Sequence, residues 1–92
     1  MKDELTVYRI IIGRHIDTVW PKLVIWGLEG GTVYPARGFW HGEREEATVI
    51  EVAMKSEAGA RLLACYLRDT FGEEAVYFAQ TGTADILYRN GG

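Results

Sequence analysis

The order of strand-like and helix-like segments most restricts the fold of this 92-residue chain. Residues 5–12, LTVYRIII, are β-branched and aromatic, which predicts a strand that ends at Gly13. Residues 47–55, ATVIEVAMK, alternate between two sets of side chains and predict a further strand. Residues 32–40, TVYPARGFW, are also strand-like but contain Pro35, which cannot donate to a β-ladder. This strand is therefore expected at a sheet edge or with a bulge.

Two segments between the strands have helical patterns. In HIDTVWPKLVIWGLEGG, Asp17 or Thr18 is the expected N-cap of a helix of about three turns, which the glycines end. Its expected apolar face contains Leu23, Trp26 and Ile25. The second helix, EAGARLLACYLRDTF, is expected to begin after the N-cap Ser56 and to end at Gly72 in the C′ position. Its expected inward face contains Leu62, Leu63, Cys65, Tyr66 and Leu67.

The chain then continues into a last strand, residues 75–80, with a turn or bulge at Thr81–Gly82 and more strand to Tyr88. HGERE, residues 41–45, is expected to be the turn between the two central strands. The resulting order β-α-β-β-α-β predicts a single α+β domain over 1–92, a ferredoxin-like sandwich with an antiparallel sheet and two helices on one face. The other face of the sheet needs a cover, and in so short a chain we expect another subunit to provide it.

The overall charge limits the classes of partner. The net charge of −3 argues against a nucleic-acid partner, whose binding proteins are usually basic, and suits a cationic small molecule. No apolar run approaches the roughly 20 residues of a membrane span. The N-terminal MKDELTVYRIIIG has acidic residues where a signal peptide carries positive charge. These observations predict a soluble, cytoplasmic protein that binds neither nucleic acid nor membrane.

The residues for metal or nucleophilic chemistry are few. His15 and His41 are the only histidines and Cys65 is the only cysteine, so a metal site is not expected. Cys65 is expected to be a small buried apolar residue. The only serine, Ser56, has the role of helix cap, and GxSxG, GxGxxG and P-loop patterns are absent. No cofactor is expected.

A group of carboxylates remains near the predicted turn. Glu43, Glu45 and Glu46 lie within four positions, and Tyr34 lies on the preceding strand. Pairing of the two strands about the turn brings Tyr34 and Glu45 toward the same end of the sheet or an adjoining subunit. The sequence pattern leaves two interpretations open, because polar residues are also ordinary at a solvated hairpin tip.

The second half of the chain resembles a known family. The pattern EE-x-TV-x-x-V from Glu45 to Val52, the helix with RLLAC at residues 61–65, and QTGTA at residues 80–84 leading to Tyr88 are similar to the phage-encoded S-adenosylmethionine (SAM) lyases, also called SAM hydrolases or SAMases. The resemblance covers roughly half of the chain, and before Tyr34 it rests on element order alone. It implies the ferredoxin-like fold and a homotrimer with the substrate between subunits.

The resemblance also implies a function. Members of this family cleave SAM to 5′-methylthioadenosine and L-homoserine lactone, and a tyrosine and a glutamate are tied to activity. The glutamate corresponds to Glu45, or to Glu46 if the register differs by one, and the tyrosine to Tyr34. Thr81 and Thr83 offer hydroxyls for the adenosyl group, or form a β-bulge without a ligand, and Trp40 can stack on adenine or pack in the core. Whether such an activity would serve a phage in anti-restriction is not determined by the sequence.

Two other functions fit the same residues. One is a non-catalytic ferredoxin-like module that binds a nucleotide or a partner protein, since this fold hosts many functions. The other is a small structural oligomer without a ligand.

Overall fold

The computed structural model describes the backbone of residues 2–28, 30–87 and 89, and the side chains of 5–28, 30–85, 87 and 89. Its elements are β1 (Lys2–Ile12), α1 (Val19–Ile25), β2 (Thr32–Trp40), β3 (Glu43–Met54), α2 (Glu57–Thr70) and β4 (Tyr77–Leu87). The strands form one sheet in the order β2-β3-β1-β4, and neighbouring strands are antiparallel. The predicted ferredoxin-like α+β fold is confirmed.

Both helices pack on one face of this sheet. Residues opposite each other in neighbouring strands share a face, and Ile10 of β1 lies opposite Ile50 of β3 and Phe78 of β4. The core consists of this face and the inward sides of the helices: Tyr8, Ile10, Ile12, Val19, Leu23, Ile50, Val52, Ala60, Leu63, Ala64 and Leu67. We call the other side of the sheet, which carries the odd-numbered residues of β1 and β3, the open face.

Helix α1 is shorter than expected. It has seven residues, and the side chain of Thr18 makes no capping hydrogen bond. Its C-terminus is closed by Gly27 at φ 79°, where the N–H of Leu28 donates to the carbonyl of Leu23. Ile25 is 72% exposed, so the prediction that it lies on the inward face is wrong. Val19 and Leu23, spaced i, i+4, form the buried side of the helix, and Ile25 lies about 200° around the axis from Leu23, on the opposite side.

Helix α2 has both of its predicted caps. The Ser56 hydroxyl accepts a hydrogen bond from the N–H of Gly59, and Gly72 stands at φ 66° with the N–H of Glu73 donating to the carbonyl of Arg68. The predicted inward face is partly wrong, because Leu62 and Cys65 are exposed. The buried stripe follows the i, i+3, i+4, i+7 spacing instead, at Ala60, Leu63, Ala64 and Leu67.

The hairpin between β2 and β3 has a tighter turn than HGERE suggested. The turn consists of His41 and Gly42, both at positive φ (51° and 80°), so Glu43 already belongs to β3 and pairs with Trp40. Positive φ at both central residues matches the twist of the flanking strands, which lets the ladder continue to the turn. The predicted position of β2 at a sheet edge is confirmed.

The predicted irregularity in the last strand is also present. The register of β4 against β1 shifts so that Gly82 faces Val7 and Gln80 faces Tyr8, which makes Thr81 the extra residue of a bulge. The expected end of this strand at Tyr88 lies outside the described residues. No helix in the described ranges is both long and apolar enough to cross a lipid bilayer.

We predict opposite effects on stability for two glycine-to-alanine substitutions in and beside α2. Gly72→Ala places a side chain at φ 66° and is expected to lower the free energy of unfolding by about 1–2 kcal/mol. Gly59→Ala, within α2, is the matched control. Its added Cβ would stand 3.5 Å from Met54 Cε, an ordinary van der Waals distance, and the substitution is expected to raise the free energy of unfolding by about 0.5 kcal/mol. Urea denaturation measures both changes in the free energy of unfolding. Changes of the same sign would contradict the role of Gly72 in ending α2.

Candidate functional site

The β2–β3 hairpin extends beyond the rest of the sheet. Strand β1 ends at Ile12, opposite Thr48, and Thr48 is paired on its other side with Pro35. Residues 36–47 therefore form a two-stranded projection, which we call the arm. A two-stranded hairpin alone is at best marginally stable in water, so contacts at the base of the arm, or with another molecule, matter for its position.

Glu45 lies at the base of the arm and is folded back over the end of β1. Its side chain is half-buried, and a Cβ built at Gly13 would stand only 2.8 Å from Glu45 Oε1. The carboxylate can occupy this position because residue 13 has no side chain. Glu46, by contrast, is exposed and lies opposite Arg37 on the other face of the arm. Glu45 and Glu46 therefore have different surroundings although they are neighbours in sequence.

Tyr34 lies on the open face, in a row with Val49, Ile11 and Tyr77. The next row contains an ion pair, in which Arg9 Nε and Nη2 donate to Glu51 Oε2 at 3.0 and 2.8 Å. This hydrogen bond and the charge of Glu51 raise the pKa of the Arg9 guanidinium above its usual value, and Tyr34 and Tyr77 add smaller contributions. The open face therefore combines apolar side chains with a polar centre next to Tyr34.

Tyr34 and Glu45 share the open face but do not meet within one chain. Tyr34 pairs with Val49 and Glu45 pairs with Gly38, so their positions differ by four residues along the strands. At the rise of a β-strand this separates their Cα atoms by about 13 Å. A site that uses both side chains on one small group therefore needs a second subunit or a ligand that spans this distance.

The other predicted substrate residues lie elsewhere in the chain. The Thr81 hydroxyl lies 3.4 Å from the Val7 carbonyl in the β4 bulge, and Thr83 is paired with Thr6, six residues along β1 from Ile12. This is about 20 Å from the end of β1 at which the arm begins. Trp40 is 63% exposed at the tip of the arm, where its ring meets the His41 ring edge to face at 4.8 Å between centroids. One subunit does not bring these residues together.

The loop between β1 and α1, residues 13–18, is held by one buried hydroxyl. Thr48 Oγ1 accepts a hydrogen bond from the N–H of Ile16 at 2.9 Å and donates to the carbonyl of Arg14 at 2.8 Å, and Thr48 is 2% exposed. The Arg14 side chain in turn lies 3.6 Å from the Glu73 carboxylate beyond the end of α2. These contacts fix the loop that carries Gly13 at one end.

A cleft of about 260 Å³ opens between this loop, the start of α1 and the edge strand β2. His15 and Asp17 stand at its rim with Nε2 and Oδ1 2.8 Å apart, and the ring of Trp20 is 64% exposed beside it. The lining residues are His15, Ile16, Asp17, Trp20, Val33, Tyr34, Pro35 and Thr48. The cleft is thus bordered by the segment of β2 that carries Tyr34 and by the loop on which Glu45 rests.

The sequence did not single out Trp20 or the His15–Asp17 pair as site residues. The available signal was weak, because His15 had the pattern of an exposed loop residue and Asp17 that of a helix cap. Only the distance between their side chains shows that they act as a pair at the rim of the cleft. Among the described residues, no group of three or more His, Cys, Asp or Glu side chains is placed to hold a metal ion.

Comparison with solved structures finds proteins that share this fold. CPII, a nitrogen regulatory PII-like protein from Thiomonas intermedia K12 bound to ADP, AMP and bicarbonate, superposes with a TM-score of 0.66 at 14% identity, over 97% of this chain and 99% of its own. A phage SAM lyase in the apo state superposes with a TM-score of 0.63 at 17% identity, over 92% and 90% of the two chains.

A PII-like signalling protein from Thermus thermophilus gives a TM-score of 0.58 at 21% identity, over 94% and 91% of the two chains. No protein-family model and no curated protein matches the sequence. At these identities the similarity establishes a shared fold, while the function depends on the residues of the site.

We predict that the loop depends on the Thr48 hydroxyl. Thr48→Val keeps the shape of the side chain but leaves the Ile16 N–H and the Arg14 carbonyl without this partner, and is expected to cost about 1–3 kcal/mol of folding free energy. Thr48→Ser, which keeps the hydroxyl, is the control and is expected to cost less. Thermal denaturation and amide hydrogen exchange of Ile16 measure the effect, and equal losses in the two variants would exclude this role of the hydroxyl.

Proposed function

We propose that this protein is a SAM lyase that forms 5′-methylthioadenosine and L-homoserine lactone at a site between subunits. The observation that carries the proposal is the half-buried Glu45 carboxylate, which lies over Gly13 on the same face as Tyr34. Tyr34 and Glu45 are the side chains to which the family resemblance assigns activity. The fold shared with a phage SAM lyase is consistent with this assignment.

The reaction requires little chemistry from the protein. A carboxylate oxygen of SAM attacks its own γ-carbon, an O–C bond forms, and the bond between that carbon and sulfur breaks. The electron pair of the broken bond passes to sulfur, which leaves as a neutral thioether, so that no proton or external nucleophile is needed. Holding the two reacting atoms in line can lower the barrier by roughly 7–11 kcal/mol at best.

Glu45 and Tyr34 have complementary roles in this proposal. The Glu45 carboxylate attracts the ammonium or the sulfonium of the substrate, and its partial burial strengthens that attraction because less water screens it. The Tyr34 hydroxyl donates a hydrogen bond to the Glu45 carboxylate, or the Tyr34 ring lies against the substrate cation. Such a cation–π contact contributes about 0.5–2 kcal/mol. We favour Glu45 over Glu46, because Glu46 is exposed on the opposite face of the arm.

The proposed assembly is a homotrimer in which Tyr34 and Glu45 of different subunits approach each other. Their separation of about 13 Å along the strands of one chain supports a shared site. The uncovered open face, with Tyr34 37% and Tyr77 57% exposed, supplies apolar surface for the contact. Thr81, Thr83 and Trp40 contribute to substrate binding in this proposal if they belong to a different subunit from Glu45.

A second candidate function is a non-catalytic nucleotide-binding module. The similarity to CPII, whose structure contains ADP, AMP and bicarbonate, favours it, since that protein covers 97% of this chain at a TM-score of 0.66. In this case Glu45 is a structural residue that closes the base of the arm over Gly13. Binding of an adenine nucleotide without turnover of SAM would distinguish this function from the first.

We predict that the purified protein converts SAM into 5′-methylthioadenosine, measured by liquid chromatography, with homoserine lactone as the first co-product after rapid quenching. Glu45→Gln removes the negative charge without changing the size of the side chain and is expected to lower kcat/KM at least about tenfold, equivalent to the loss of about 1.4 kcal/mol of attraction for the substrate cation. Glu46→Gln is the comparison and is expected to retain most of the activity.

Three results would contradict the proposal in different ways. Homoserine in place of the lactone at the earliest time point would mean attack by water. Equal loss in Glu45→Gln and Glu46→Gln would remove the distinction between the two carboxylates. Nucleotide binding without product would favour the second candidate function.

We predict that mixing two impaired variants restores activity. If each site takes Tyr34 from one subunit and Glu45 from its neighbour, unfolding and refolding equal amounts of Tyr34→Ala, which removes both hydroxyl and ring, and Glu45→Gln together regenerates intact pairs at about a quarter of the sites. The same activity assay measures the recovery, and each variant refolded alone is the control. No recovery from mixed oligomers would place both residues of a site in one subunit.

A further inference from the structure

We propose that the cleft between β2 and the 13–18 loop binds the adenosine part of an uncharged or cationic adenosyl compound. The identity of the compound rests on the proposed function. The recognition of an adenosine group is argued from the residues that line the cleft. None of the residues at the rim, Trp20, His15 and Asp17, was expected to bind substrate. The cleft has a volume of about 260 Å³.

The walls of the cleft are suited to a flat aromatic ring. Trp20 is 64% exposed although it lies on the first turn of a short helix whose Val19 and Leu23 are buried. Ile16, Val33 and Pro35 supply the other apolar surfaces, and Pro35 is rigid. An indole face next to a rigid apolar wall favours stacking of a nucleobase. Stacking uses the aromatic face of the base and does not depend on the pattern of hydrogen-bond donors and acceptors at its edge.

The polar groups of the cleft suit a nucleoside. His15 Nε2 occupies one oxygen of Asp17 at 2.8 Å, and the Asp17 side chain is 83% exposed, so its other oxygen can accept from an amino group or from ribose hydroxyls. The lining contains no lysine or arginine. The nearby Arg14 pairs with Glu73 at 3.6 Å instead. A phosphate would therefore find the Asp17 carboxylate and no lysine or arginine in the lining, which disfavours ADP or AMP relative to a compound without phosphate.

The position of the cleft links it to the residues proposed for catalysis. Val33 and Pro35 border the cleft from the helix side of β2, whereas Tyr34 between them and Glu45 over Gly13 lie on the open face. From Gly13 to Ile16 the chain spans at most about 11 Å. A ligand with its base beside Trp20 therefore reaches the Glu45 carboxylate by passing around the end of β1 at Gly13. Trp20 is in this arrangement a determinant of nucleoside binding.

Isothermal titration of the 92-residue chain with 5′-methylthioadenosine, adenosine and AMP tests the inference. Trp20→Ala is expected to weaken binding of methylthioadenosine about 5- to 100-fold, the range for loss of a base-stacking aromatic ring. Trp20→Phe is expected to recover most of the affinity. Ile25→Ala changes an equally exposed side chain of α1 outside the cleft and is the control, expected to bind as the unmodified protein does. AMP is expected to bind more weakly than adenosine.

The inference is overturned if Trp20→Ala leaves the affinity unchanged, if the unmodified protein does not bind methylthioadenosine, or if AMP binds more tightly than adenosine. Loss of affinity in Trp40→Ala but not in Trp20→Ala would place the base at the tip of the arm and would also overturn it. Assay of SAM turnover in the same preparations separates this inference from the proposed function. If the protein turns over SAM but binding does not change in Trp20→Ala, only the proposal that the cleft binds adenosine is refuted. If binding depends on Trp20 but SAM is not turned over, only the proposed lyase activity is refuted.

Discussion

The arrangement of the candidate site depends on the two hydrogen bonds of one buried hydroxyl, that of Thr48. They tie the loop after β1 to the middle of β3, so that Gly13 lies under Glu45 while His15 and Asp17 reach the rim of the cleft. A loop of six residues without this anchor would have many conformations of similar energy, since its backbone groups can also bond to water. Because β3 is a central strand, Thr48 connects the loop directly to the rigid core.

Glycine at position 13 leaves the space in which the Glu45 carboxylate lies over the anchored loop. Any larger residue there would contact the Glu45 carboxylate, which would then turn toward water and gain dielectric screening. The half-buried Glu45 carboxylate on the open face attracts a cation more strongly than the exposed Glu46 carboxylate on the other face of the arm. This difference is the physical reason for favouring Glu45 over Glu46 in the proposed lyase site, and the net negative charge of the chain suits the sulfonium substrate of that proposal.

The shared fold does not decide between catalysis and nucleotide binding, because PII-like proteins and a phage SAM lyase have the same architecture at similar TM-scores. The charges around the cleft bear on this choice more directly. A site for ADP or AMP usually presents cations or a helix N-terminus to the phosphates. The start of the seven-residue helix α1 borders this cleft, but the Asp17 carboxylate stands there and the described lining residues include no lysine or arginine. These features favour an adenosyl compound without phosphate.

The sequence by itself determined the order of the elements, the caps Ser56 and Gly72, the edge position of β2 and the bulge at Thr81, because each depends on local periodicity or on the backbone preferences of single residues. It did not determine which apolar residues of the helices face inward, so Cys65, Leu62 and Ile25 were misplaced. It also could not separate Glu45 from Glu46 or pair His15 with Asp17. Those facts depend on the register of β3 against β1 and on the path of the 13–18 loop, which are set by contacts between residues more than thirty positions apart, such as Thr48 with Ile16. Only the tertiary structure specifies such contacts, since a one-residue change of register would exchange the faces of Glu45 and Glu46 without changing any local pattern.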